Sequence, residues 1–122
     1  MLIRVTAREE PYPPVTAAFR FNDDSLTVAA RMIKERLAQN LRINLNDAML
    51  LFAVQAASLV ISRAGPDDIR RKLSGMISYE QMMPGTPEMM RRLDLEIHGD
   101  GTDLVTIDEP VLRRAGAGEN VH

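Results

Sequence analysis

Apolar and polar positions change period along this chain, and each change marks a different kind of element. Leu2-Ile3-Arg4-Val5-Thr6 is a short β-prone run. The stiff segment Pro11-Tyr12-Pro13-Pro14 follows, where fixed φ and missing N–H groups predict an extended arm or a sheet edge. Between Val15 and Phe21, Phe19 and Phe21 alternate around Arg20, which is strand-like. Three of the five aromatics (Tyr12, Phe19 and Phe21) fall in this leading segment, Met1 to Asn22, so it is expected to dock on something.

A helical period then takes over. Asp23 or Asp24 offers an N-cap for a helix to about Asn40. Its apolar face is Leu26, Ala29, Ala30, Ile33 and Leu37, with Arg31, Lys34, Glu35 and Arg36 on the wet side. After a break at Asn40 to Asn46, a second helix runs from about Asn46 to Arg63. It is apolar nearly all round (Met49, Leu50, Leu51, Phe52, Val54, Leu59, Val60, Ile61), the pattern of a helix central in a bundle or covered by a partner. Gly65-Pro66 restarts the chain as a short third helix to about Ser74, with Asp67 and Asp68 at its positive end. Ser78 with Gln81 reads as a capping box for a fourth helix, Tyr79 to Met83. Pro84-Gly85 stops it, and Thr86-Pro87-Glu88 opens a turn ending near Arg92.

Period two returns at the end. Leu93, Leu95 and Ile97 alternate with Asp94, Glu96 and His98. Gly99-Asp100-Gly101 makes a turn in which glycine is expected at positive φ, and Thr102 to Ile107 returns as a strand. These elements predict an α+β, mainly α fold: a small helical bundle with a C-terminal antiparallel β-hairpin. The expected divisions are an extended N-terminal arm (1–22), the domain proper (23–111) and a flexible tail (112–122).

Composition narrows the function. The chain has 122 residues and a net charge of -2, which suits one domain and gives no field for nucleic acid or membrane. There is no cysteine, so disulfides, thiolate metal sites and thiol catalysis are excluded, as suits a reducing, cytoplasmic setting. The N-terminus lacks the apolar core of a signal peptide. The longest apolar stretch, Ala48 to Ile61, is too short to span a bilayer. Eight methionines against few aromatics suit an adaptable surface that buries a partner.

Candidate chemistry is sparse. The only histidines are His98 and His122. His98 shares a strand face with Glu96 and Asp94, but one histidine with two carboxylates lacks the ligand set of a hydrolytic metal site. Ser58, Ser62, Ser74 and Ser78 could pair with His98 only outside any glycine-flanked elbow. The acidic pairs Asp23-Asp24 and Asp67-Asp68 are explained by helix starts. Gly99-Asp100-Gly101 joins two strands, which is not the setting of a phosphate loop. Arg70-Arg71-Lys72, Arg91-Arg92 and Arg113-Arg114 are interleaved with acids and read as a solvated face or as protein contacts. Met82-Met83 and Met89-Met90 bracket Pro84 to Pro87 and suit either core or a subunit interface. No catalytic, cofactor-binding or metal-binding residue is assigned.

The motifs also resemble those of a known family. Asp100-Gly101-Thr102, then Leu104-Val105-Thr106-Ile107, then Pro110-Val111 closely resembles the C-terminal hairpin of urease gamma subunits. Ile77 to Met89, with Met83, Gly85 and Pro87-Glu88-Met89 in place, is similar to the family's preceding turn. Glu35-Arg36-Leu37-Ala38 through Asn44, and Asp47-Ala48, resemble its first helix and the start of its second. The family's polar, glycine-containing end of the second helix is here the more apolar Ser58-Leu59-Val60-Ile61-Ser62-Arg63, with Gly65-Pro66 following. The resemblance implies a non-catalytic, structural subunit with urease beta-like and alpha-like partners. It also implies nickel and all the chemistry in the alpha chain, with no cofactor in this one. A homo-oligomer is expected if no partner is present, a trimer being suggested by the threefold symmetry of ureases. The alternative is a stand-alone scaffold or self-associating module with no urease.

Overall fold

The first two strands and the hairpin of residues 92–108 meet in one antiparallel sheet. The computed structural model describes residues 1–113, so the tail expected from Leu112 lies, beyond Arg113, outside the described residues. In chain order the elements are β1 (Leu2–Arg8), β2 (Val15–Arg20), α1 (Ser25–Ala38), α2 (Leu45–Ile61), α3 (Pro66–Leu73), β3 (Ile77–Ser78), β4 (Arg92–His98), β5 (Thr102–Asp108) and β6 (Val111–Leu112). Single 3-10 turns occupy Tyr79–Gln81 and Pro87–Met90.

The main sheet has four strands in the order β2-β1-β4-β5, antiparallel throughout. That overturns the expected mainly helical bundle with a lone hairpin. The leading segment is not an arm. It supplies the outer strand β2 and the inner strand β1, which pairs with β4 along its whole length. The local β signal was readable in Leu2 to Thr6 and Val15 to Phe21. Its partner was not, because Arg8 and Asp94 meet across 86 positions of sequence and nothing in the local pattern records that closure.

Period two places one side chain of each strand pair on each face. The inner face carries Val15, Ala17 and Phe19, then Ile3, Val5 and Ala7, then Leu93, Leu95 and Ile97, then Val105 and Ile107. On it rests α2, which also packs on α1 and α3. This helix is buried from Ala48 through Ala53 and again at Ala56, Ala57 and Leu59. The sheet, α1 and α3 together therefore cover within one chain most of the apolar surface read from the sequence, with Val54 and Val60 half-buried. Ile61, 74% exposed, is the exception. As the spacing predicts, α1 buries Ala30 and Ile33 and half-buries Leu26, Ala29 and Leu37.

The helix boundaries have local causes. At the start of α2, the Asn44 side chain accepts the Asp47 N–H at 2.8 Å and caps a helix that begins at Leu45, one residue before the expected start. Asn40 (φ 63°) ends α1 in the left-handed region, with Asn40 N–H on Leu37 O and Leu41 N–H on Arg36 O, both 3.0 Å. Arg63 (φ 66°) does the same for α2, with Arg63 N–H on Val60 O and Ala64 N–H on Leu59 O, both 2.9 Å. The fourth helix shrinks to the 3-10 turn at Tyr79–Gln81, although Gln81 Oε1 does accept the Ser78 N–H at 2.9 Å. Its chain is claimed by extended contacts instead: Ile43 N–H bonds Gln81 O, Met83 N–H bonds Ile43 O, and β3 pairs in parallel with β6.

The hairpin turn also differs from expectation. Neither Gly99 nor Gly101 has positive φ, whereas Gly75 (φ 79°) and Gly85 (φ 86°) do. Open space surrounds a Cβ built at Gly85 or at Gly101, so backbone strain alone separates the two. Gly85→Ala should therefore cost about 1 kcal/mol, and Gly101→Ala should change stability by less than about 0.5 kcal/mol. Thermal melts of the two variants check this contrast. Arg63→Gly should raise stability by roughly 0.5–1 kcal/mol by relieving a left-handed arginine, read from the same melts.

Candidate functional site

The face of the sheet turned away from the helices is polar. Here β1 contributes Arg4, Thr6 and Arg8, β4 contributes Arg92, Asp94, Glu96 and His98, and β5 contributes Thr102 and Thr106. Asp94 accepts from Arg8 Nε at 2.7 Å, Thr106 Oγ1 at 2.8 Å and Arg92 Nε at 3.2 Å. Glu96 accepts from Arg4 Nη1 at 2.9 Å and lies 2.5 Å from His98 Nε2, while His98 Nδ1 is 3.2 Å from Thr102 Oγ1. The shared face of Asp94, Glu96 and His98 was legible from alternation. The arginines that occupy their oxygens were not, since they arrive on β1.

This geometry suits a cross-strand charge ladder rather than a catalytic centre. Among the described residues, no group of three His, Cys, Asp or Glu side chains is placed to hold a metal ion. Both carboxylates already face guanidinium groups, so the donor set does not fit nickel. Ser58 and Ser62 end α2 and Ser74 ends α3, in the layer on the other side of the sheet. The Ser78 N–H is bonded to Gln81. His122 lies outside the described residues. The basic clusters are also engaged: Arg70 with Asp67, Arg71 with Asp68, Arg91 with Glu9, and Arg113 over the Tyr79 ring at 5.0 Å.

The surface better suited to function is apolar. Each of the two methionine pairs expected to serve core or interface divides, one member in the core and one at the surface. Met82 and Met90 are each 1% exposed, while Met83 and Met89 are each 45% exposed. Met89 lines one hollow with the tip of the β1–β2 hairpin, where Tyr12 is 70% exposed. Tyr12, Pro13, Pro14 and Val15 on one side and Gly85, Glu88 and Met89 on the other enclose an open hollow of about 900 Å³, with Glu9 and Arg91 paired in its lining. The prolines hold the tip stiff, and flexible methionine adapts to what is laid against it. Such a surface suits an apolar partner, with the Glu88 carboxylate and the Glu9–Arg91 pair as its polar groups. The sequence showed its parts separately, as an aromatic-rich leader and a methionine cluster; the β1–β4 pairing brings them together.

The charge ladder makes a pH prediction. Partial burial pushes the Asp94 carboxyl upward, but hydrogen bonds from Arg8, Thr106 and Arg92, with the Arg92 charge, outweigh it and hold the carboxyl below its ordinary 3.8. A depressed folded-state pKa adds stability that is fully present above 3.8 and is lost as pH falls through the folded value. Asp94→Asn should therefore destabilise by up to about 1 kcal/mol at neutral pH. The gap to the parent chain should close as acid is added below the usual carboxylate range, measured by denaturant melts across pH.

Comparison with known proteins gives the site its context. The family described as "Urease, gamma subunit" matches residues 22–111, from the end of β2 to the start of β6. The urease subunit gamma of Saccharopolyspora erythraea is 27% identical over 85 residues, which cover 69% of this chain and 85% of that protein. Strands β1 and β2 lie before the family match. The match takes in all three helices and the β4–β5 hairpin, most of the described chain, and on that ground the chain belongs to the urease gamma-subunit family.

Proposed function

We propose that this chain is the non-catalytic, structural gamma-like subunit of a nickel-dependent urease or urease-related amidohydrolase. It works in the cytoplasm, in urea catabolism, joining beta-like and alpha-like subunits in a threefold assembly. The observation that carries this reading is the family match, which runs through both layers of the fold. The hollow between Tyr12 and Met89 supports it as a ready apolar contact. In this reading the alpha-like partner holds the nickel pair and supplies the hydrolytic chemistry, while this chain contributes contact and position.

A second reading has one specific observation in its favour. Taken alone, the family-matched residues leave the edge of β4 open, and here β1 from outside the match fills it. A chain that closes its own sheet suits a stand-alone scaffold or self-associating module.

Purification of the tagged chain from its native cell separates the readings. The urease reading expects beta-like and alpha-like subunits to follow it and urea hydrolysis to follow them. The scaffold reading expects neither. The isolated chain should hydrolyse no urea and hold no stoichiometric nickel; chelator-sensitive nickel bound one to one would overturn that. Met89→Glu should weaken capture of the partners by about tenfold or more, because it puts a charge into a desolvated contact. Its melting temperature should stay near the parent value, since Met89 is already half exposed.

A further inference from the structure

We propose that the free edge of β2 is a self-pairing surface, where two copies of this chain join their sheets antiparallel about a twofold axis through Ala18. This does not rest on the urease reading, and β2 lies before the family match.

The argument begins with where the β2 backbone points. Phe21 N–H donates to Met1 O at 2.8 Å, and the register pairs Ile3 with Phe19, Val5 with Ala17 and Ala7 with Val15. In an antiparallel ladder, hydrogen-bonded pairs alternate with pairs whose N–H and C=O turn outward. The odd-numbered residues of β2 therefore bond β1, and the N–H and C=O groups of Thr16, Ala18 and Arg20 face away from the sheet.

The same alternation at the opposite edge turns Leu104, Thr106 and Asp108 of β5 outward. There α3 packs on β5, and Arg70 Nε donates to Thr106 O at 3.0 Å. One edge of the sheet is thus guarded by a helix. Among the described residues, no such cover reaches the outward groups of β2. Its side chains are uncovered as well: Thr16, Ala18 and Arg20 are exposed, and Val15, Ala17 and Phe19 are only half-buried. An unguarded edge of this length is a template for another strand.

Register and charge select a second copy as the occupant. With the axis through Ala18, Ala18 faces its own copy, and Thr16 faces Arg20 of the other chain. All three outward residues then find both backbone partners. No like charges oppose one another, and Phe19 lies against the small Ala17 of the other copy. Moving the axis to Arg20 sets arginine against arginine. Moving it to Ala17 sets Arg20 against Pro14, which has no N–H. Moving it to Phe19 sends Thr16 past the strand end to Asn22. A half-residue shift sets inner-face side chains against outer-face ones. Only the register centred on Ala18 satisfies the whole strand.

The test uses the full chain. The parent should sediment as a dimer at micromolar concentration, and Ala18→Pro should weaken that dimer by at least about tenfold. The lost N–H faces outward, so the fold and its circular dichroism should be unchanged. The chain has no cysteine, so Ala18→Cys supplies a single thiol. A short bis-maleimide should link two copies through it. Thr16→Cys should link poorly, because the two thiols would lie about 13 Å apart along the strands. A parent that stays monomeric, a dimer that survives in folded Ala18→Pro, or stronger linking at Thr16→Cys would each overturn the proposal. If Ala18→Pro fails to fold, the two cysteine variants decide.

Discussion

The pairing of β1 with β4 is the contact on which the rest of this structure depends. It joins the first strand to a strand near the other end of the chain, making a sheet wide enough to carry α2. Without it α2 would face one hairpin, and Ile3, Val5 and Ala7, now 0–2% exposed, would leave the core. The pairing is fixed on both faces. Leu93, Leu95 and Ile97 meet Ala7, Val5 and Ile3 inside, while Asp94 and Glu96 meet Arg8 and Arg4 outside. A slip of one residue would bury the charges and expose the apolar set, so the two faces specify the same register. The surface ion pairs add little energy each, and their larger role is to exclude other alignments.

How much of this was legible depends on the distance over which each signal acts. The boundaries of α1 and α3 and the β4–β5 alternation come from neighbours a few residues apart, and they could be read. So could the all-round apolar character of α2. What could not be read was the cover for α2, because that cover is a strand pairing across most of the chain. Missing it turned a sheet into an arm and made the fold look mainly helical. Gly101 failed for a different reason. A Gly-Asp-Gly turn admits several backbone geometries, and this one closes without positive φ at either glycine, while Gly75 and Gly85 in other turns adopt it. The Asp94, Glu96 and His98 face was placed correctly, but its meaning lay in Arg4 and Arg8. Once those are opposite, a cluster that resembles half a metal site is a ladder of satisfied charges.

The same pairing assembles the apolar hollow. Tyr12 and Met89 are far apart in sequence, and each alone is an ordinary exposed residue. Together with Pro13 and Pro14 they line one concave apolar surface, with the polar Glu9–Arg91 pair beside it. A stiff tip against flexible methionines is a surface whose shape is set on one side and adjustable on the other. That suits a structural subunit, whose task is to fit neighbours. It also separates this part of the molecule from the polar sheet face, where exposed Leu104 stands among charged and hydroxyl side chains.

Adding a hairpin to a sheet does not remove an edge; it moves one. Within the family-matched residues the open edge is that of β4, a strand with charged outer residues. The β1–β2 hairpin covers that edge and presents β2 in its place, whose outward residues are Thr16, Ala18 and Arg20. The new edge carries one positive charge, no inward-pointing charge and no proline between Val15 and Arg20. Most of the devices that keep edge strands apart are therefore missing from it. At the other end of the same sheet, α3 and Arg70 supply such a device for β5. An edge left bare in a molecule that guards its other edge is best explained by contact, and the pairing of small with large and of neutral with charged residues about Ala18 favours contact with its own kind.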